Sequence, residues 1–284
     1  MISPGPRRLV CISQPHAGVR KIETTKSADG TVIAYDRAGH GPPLVVVVGA
    51  LCDRRTFVPP AELTSAFTVF TYDRRGRGDS GDTMPYSPDR EIEDLAAVAG
   101  AAGPGAFAYG HSSGAALALQ AAAAGVPFAA VAAYEAPYAI DGTRELAENP
   151  GPRITDMVSA GDRSAAVRFW MTDVVQAPAE TVAMMERSPW WPALEGLAHT
   201  LPYDLAIAGD LGVPAAELAK IAVPVLVTGG GNSPDWFKRT AEATAAVIPG
   251  ARLLVIEGHD HGVPQEVISP VLAEFFLGSG SGAS

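Results

Sequence analysis

Ser112 stands between two glycines in the run Gly110-His111-Ser112-Ser113-Gly114, a G-x-S-x-G spacing. A serine so placed can serve as a nucleophile if a sharp strand-to-helix turn lifts its hydroxyl clear of the chain. The flanking residues meet that demand. The apolar run AFAY (106–109) precedes the motif, and AALALQAAAAG (115–125), rich in helix formers, follows it. Gly110 and Gly114 remove side chains where strand and helix would otherwise collide. Ser112 would then project above the carboxyl ends of the strands, where open α/β sheets place their sites. Ser113 is expected to act through its backbone N–H rather than its hydroxyl.

A serine hydroxyl is a weak nucleophile until a base takes its proton. Two histidines, His259 and His261, lie in the loop after the last apolar run, RLLVIEG (252–258). Two carboxylates could orient one of them. Glu135 ends the run FAAVAAYE (128–135), where a buried carboxylate is costly unless it is paired. Asp235 opens a helical pattern, and capping that helix would by itself account for it.

These residues need a scaffold, and the chain supplies a regular one. KIETTKSADGTVIAYDRAG (21–39) reads as a hairpin turning at Asp29-Gly30. Continuous apolar runs follow at 43–50, 67–73, 106–110, 128–135, 223–230 and 252–258, as in strands buried on both faces. Helical patterns at about 89–100, 113–124, 234–248 and 264–277 separate most of them. Strands alternating with helices predict βαβ units and a mostly parallel sheet, with the hairpin at one edge. Almost ninety residues between Glu135 and Val223 break the rhythm, too many for a structureless loop. They carry helical patterns and Trp170, Trp190 and Trp191. The expected organisation is an N-terminal extension (1–21), a core (22–138 and 219–277), a helical cap insertion (139–218) and a flexible Gly/Ser tail (278–284).

Composition excludes several classes. A net charge of −10 without a basic stripe argues against nucleic acid and anionic membrane surfaces as partners. Two cysteines, Cys11 and Cys52, make neither a disulfide framework nor a zinc spacing. The first residues lack the apolar core of a signal peptide, and no apolar run reaches the length of a membrane span. The expectation is a cytoplasmic protein with no membrane partner, its oligomeric state open. No metal site, phosphate-binding loop or dinucleotide fingerprint is present, since GGGN (229–232) lacks the glycine spacing.

From about residue 22 to residue 277 the chain resembles the α/β-hydrolases. VVVVGALCDRRTF, FTYDRRGRGDSGD, YGHSSGAAL, AAYEAPY, and VIEGHDHGVPQEV followed by LAEFF occur in the order that family shows. The resemblance implies an α/β-hydrolase fold: a mostly parallel eight-stranded sheet flanked by helices, with an inserted helical cap. It implies a triad in the order Ser, acid, His, without a cofactor. The family's usual spacing favours His261 over His259. Its usual acid position holds Asn232, which can orient an imidazole but cannot stabilise imidazolium, so Glu135 is preferred and Asp235 kept as the alternative. The oxyanion donors would be the amides of Ser113 and of Ala50, with Leu51 able to replace the latter. Val48-Gly49 stands where the family commonly has His-Gly. DRRGRGDSGD (73–82) is expected to brace the site loops through arginine–carboxylate pairs, and His111 to shape the turn. Leu51, Trp190 and Trp191 are expected to line the substrate pocket.

The function so implied is hydrolysis of a small to medium ester, lactone or thioester with an apolar body, through an acyl-enzyme. Two alternatives share the residues: a cofactor-free lyase, cyclase or C–C bond hydrolase, and a non-catalytic ligand-binding protein on the same fold.

Overall fold

The computed structural model describes residues 22–140 and 147–278. The expected extension 1–21 lies outside the described residues, as does the tail beyond Gly278. The chain opens with β1 (Glu23–Lys26), β2 (Val32–Gly39) and β3 (Pro43–Val47), then α1 (Ala61–Ala66), β4 (Thr68–Tyr72), α2 (Pro88–Ala102) and β5 (Phe107–His111). It continues with α3 (Ser113–Ala123) and β6 (Val131–Tyr134). Next come α4 (Pro150–Ser159), α5 (Arg163–Phe169), α6 (Ala179–Glu186), α7 (Trp191–Leu197), α8 (Leu201–Ala208) and α9 (Ala215–Leu218). It closes with β7 (Val225–Gly230), α10 (Asp235–Val247), β8 (Arg252–Ile256) and α11 (Gln265–Gly278). Every predicted strand is present, trimmed by a few residues where apolar runs continue into loops.

The eight strands form one sheet in the order β1-β2-β4-β3-β5-β6-β7-β8. The β1–β2 and β2–β4 pairings are antiparallel and all the others parallel, so the hairpin occupies one edge as expected. Its turn uses Gly30 at φ +87°, a conformation costly to any residue with a Cβ. Strands β3, β5, β6 and β7 are central and buried along almost their whole length, which is why they read as unbroken apolar runs.

The two faces of the sheet hold separate cores. One packs α2 and α3 against Val45, Val47, Ala108 and Ala133; the other packs Phe67, Leu272, Phe275 and Phe276 against Val46, Tyr109 and Leu226. A third cluster is built almost wholly from the helices between β6 and β7, including Ile154, Val167, Trp170, Trp191 and Leu194. Leu51, from the loop after β3, joins it. Among the described residues, no helix is long and apolar enough to cross a membrane.

Candidate active site

The turn from β5 to α3 has the backbone of a nucleophile elbow. Ser112 sits at φ +57°, ψ −126°, outside the regions an L-residue adopts freely, and its N–H is tied to the Tyr134 carbonyl at 2.9 Å. A Cβ on Gly110 would fall 2.3 Å from the Gly114 carbonyl oxygen, and one on Gly114 would fall 2.1 Å from that of Val47. Both glycines are therefore steric necessities of the turn. Gly49, on the loop after β3, faces the serine: a Cβ there would lie 3.0 Å from Ser112 Cβ.

His261 is held from three sides. Its carbonyl accepts a hydrogen bond from His111 Nε2 at 2.8 Å, and the neighbouring Asp260 carbonyl accepts one from the Tyr134 hydroxyl at 2.6 Å. Phe237 stacks on the imidazole, centroid to centroid 5.0 Å. Its Nδ1 lies 2.7 Å from Glu135 Oε2. Glu135 itself is turned at the end of β6 by a positive φ of 48°. Its other oxygen accepts from the Gly230 amide at 2.8 Å and the Ser233 hydroxyl at 2.5 Å. Burial pushes this carboxyl up, but His261, Ser233 and Gly230 outweigh it and hold it below the ordinary glutamate value. A carboxylate so satisfied can fix the imidazole tautomer that leaves Nε2 free to accept a proton.

His111 differs from His261. Burial and the adjacent His261 lower its pKa to about 4, so it stays neutral and donates from Nε2. It supports the His261 loop, and its side chain does not line the cavity that Ser112 reaches.

Ser112, Ser113, Ala50 and His261 line one cavity of about 410 Å³. Its walls are largely apolar and come from Trp170, Val174, Leu205, Pro234 and Trp236 among others. Asn232 lines it too, but the carboxylate that meets His261 comes from β6. The alternative acid, Asp235, points to solvent with its side chain 94% exposed and pairs only loosely with Lys238 at 3.7 Å. His259 contributes its carbonyl to the Asn232 amide at 2.8 Å.

Three expected pocket residues sit elsewhere. Leu51 is buried in the third core cluster, at φ +56°, and Trp191 packs in the same cluster with its indole N–H on Ser164 Oγ at 2.8 Å. Trp190 is half-buried at the start of α7. The aromatic residues on the cavity are instead Trp170, Trp236 and Phe237. Residue type alone does not say which face of a short helix turns inward.

Beneath the cavity, the DRRGRG turn buries three arginines. Arg74 bonds Glu91 through two nitrogens at 2.7 and 2.8 Å, and Arg75 bonds Asp94 likewise. Arg77 bonds both oxygens of Asp204, on α8, at 2.9 and 2.8 Å. Asp204 also accepts from Arg74 Nη1 and from Ser113 Oγ, each at 2.7 Å. Burial would raise its pKa, and Arg77, Arg74 and Ser113 together pull it below the usual value. Asp204 escaped the sequence reading. It is the one carboxylate in the apolar run LPYDLAIA, the same signal that singled out Glu135. Among the described residues, no group of three or more His, Cys, Asp or Glu side chains could hold a metal ion.

Comparison with known proteins agrees with this architecture. The profile of the alpha/beta hydrolase family matches residues 44–269. An alpha/beta hydrolase from Sphaerobacter thermophilus is 49% identical, with a TM-score of 0.86 over 89% of this chain and all of the other. An esterase from Rhodococcus sp. ECU1013 shares the fold at 21% identity (TM-score 0.68; 92% of this chain, 100% of the other). A thermophilic esterase from Thermogutta terrifontis does so at 19% (TM-score 0.69; 91% and 99%). No curated protein matches the sequence.

Proposed function

Since the chain belongs to the alpha/beta hydrolase family, we propose that it is a serine hydrolase of carboxylic esters, lactones or thioesters with an apolar body. The observation that carries this reading is the 2.7 Å contact between His261 Nδ1 and Glu135 Oε2, beside a cavity that Ser112 shares.

Ser112 Oγ attacks the substrate carbonyl while His261 Nε2 takes its proton. Glu135 holds the tautomer and stabilises the imidazolium. The tetrahedral oxyanion is received by the amides of Ala50 and Ser113; the latter opens α3, where the first N–H groups have no acceptor within the helix. Collapse expels the alkoxide or thiolate, protonated by His261, and leaves an acyl-Ser112 ester. Water, deprotonated by His261, then repeats the sequence and releases the acid. The helices between β6 and β7 act as the cap that roofs the apolar pocket. The same proposal puts the enzyme in the cytoplasm.

The test is labelling with a fluorophosphonate, read by intact mass, alongside hydrolysis of short p-nitrophenyl esters. The wild type should take one label and turn over; Ser112→Ala should do neither. A wild type that neither labels nor hydrolyses overturns the reading.

A further inference from the structure

We propose that Arg77 and Asp204 are positioning residues through which the cap sets both donors of the oxyanion hole, an inference that rests on the hydrolase reading. A trans peptide unit is planar, so its C=O and N–H point in opposite directions. Arg77 Nη1 holds the Gly49 carbonyl at 2.6 Å, and this fixes the plane of the Gly49–Ala50 peptide with the Ala50 N–H turned away from the guanidinium. The same nitrogen bonds the Cys52 carbonyl at 3.1 Å. One guanidinium group thus brackets Ala50 and Leu51, the latter held at φ +56°.

Arg77 is fully enclosed, and among the described residues its buried Nε has no hydrogen-bond partner. Burying that cation is expensive, and the contacts it makes are to the loop carbonyls and to one cap carboxylate. Asp204, on α8, clamps Arg77 with both oxygens and at the same time receives the hydroxyl of Ser113, whose amide is the second donor. A single carboxylate therefore reaches one donor through Arg77 and the other through the Ser113 side chain. The cap does more than roof the pocket: it fixes where negative charge can develop.

Steady-state kinetics on an ester turned over by the wild type test this, with two inhibitors added. An alkyl trifluoromethyl ketone forms an adduct with Ser112 that carries an oxyanion; the matching methyl ketone, far less prone to addition, reports ground-state binding. Asp204→Asn and Arg77→Met should each lower kcat by about 10²-fold, the scale for losing one oxyanion donor. KM should stay within about threefold, and trifluoromethyl ketone affinity should fall in step with kcat while methyl ketone affinity holds. Arg77→Lys, which keeps a cation near the Gly49 carbonyl, should recover about tenfold over Arg77→Met. The proposal is overturned if the loss lies in KM, if both ketones weaken together, or if kcat is unchanged. Should Arg77→Met not fold, the isosteric Asp204→Asn decides by the same readouts, and collapse of both variants also overturns it. Failure of the hydrolase reading shows separately, as a wild type that takes no fluorophosphonate label.

Discussion

Glu135 and Asp204 are both buried carboxylates next to residues of the candidate site, yet they keep different company. Glu135 faces His261, a group that can gain and lose a proton, and two neutral donors. Asp204 faces two arginines, and with Glu91 it completes a closed set of two cations and two anions. On the proposed mechanism, charge appears and vanishes in the first region during turnover. In the second the charges are permanent and balanced, which suits a fixed support. The two regions should therefore fail in different ways when broken.

The largest effect is expected at the first. Glu135→Gln should lower kcat by about 10⁴-fold with little change in stability, on the scale of removing the orienting acid from a triad. Steady-state kinetics with a melting curve check it, and the exposed Asp235→Asn should stay within twofold. The second region should respond in stability. Glu91→Gln leaves Arg74 short of a buried partner and should cost about 3–5 kcal/mol in urea unfolding, with a smaller effect on rate. If Glu91→Gln instead removed activity at unchanged stability, the contrast between the regions would be lost.

A smaller effect sharpens the contrast within the first region, where His111 should stay neutral at ordinary pH. His111 has a folded pKa of about 4 against an ordinary 6.5. Between those values the unfolded chain binds more protons, so stability falls as pH drops. From pH 7 to pH 5 this group should account for roughly 1–2 kcal/mol of lost stability, and His111→Gln should remove that part of the pH dependence. Urea melts at the two pH values decide it. Smallest of all, Trp236→Ala should raise KM for aromatic esters about fivefold, while Trp190→Ala, away from the cavity, should leave KM unchanged.

Much of the first region is legible in the sequence because local rules determine it. Gly110 and Gly114 at fixed spacing announce the elbow, and Glu135 is conspicuous as a carboxylate closing an apolar strand. The mostly parallel sheet and the edge hairpin follow from the alternation of strands and helices, whereas the gathering of Ser112, Ser113, Ala50 and His261 is what the family resemblance implies. The cavity walls are harder to read. Trp190 and Trp191 lie in short helices whose inward face depends on how six helices pack together, and Leu51 is drawn out of the pocket by the third core cluster. Asp204 lies 127 residues from Arg77, so its partner is invisible to spacing, although its apolar neighbours mark it as needing one. Short helices such as α1 and α9 carry too few turns for periodicity to show.

The third hydrophobic cluster has one more consequence. It draws its buried side chains from the helical segment and from Leu51 alone, and neither sheet core contributes to it. Most exchanges of wall residues between β6 and β7 can then be absorbed locally, without repacking the strands that carry Ser112 and Glu135. Such a division favours divergence: a lineage can change what enters the cavity while inheriting the floor intact. Asp204 marks the boundary of that freedom, because any replacement wall must still bring a carboxylate to the same place.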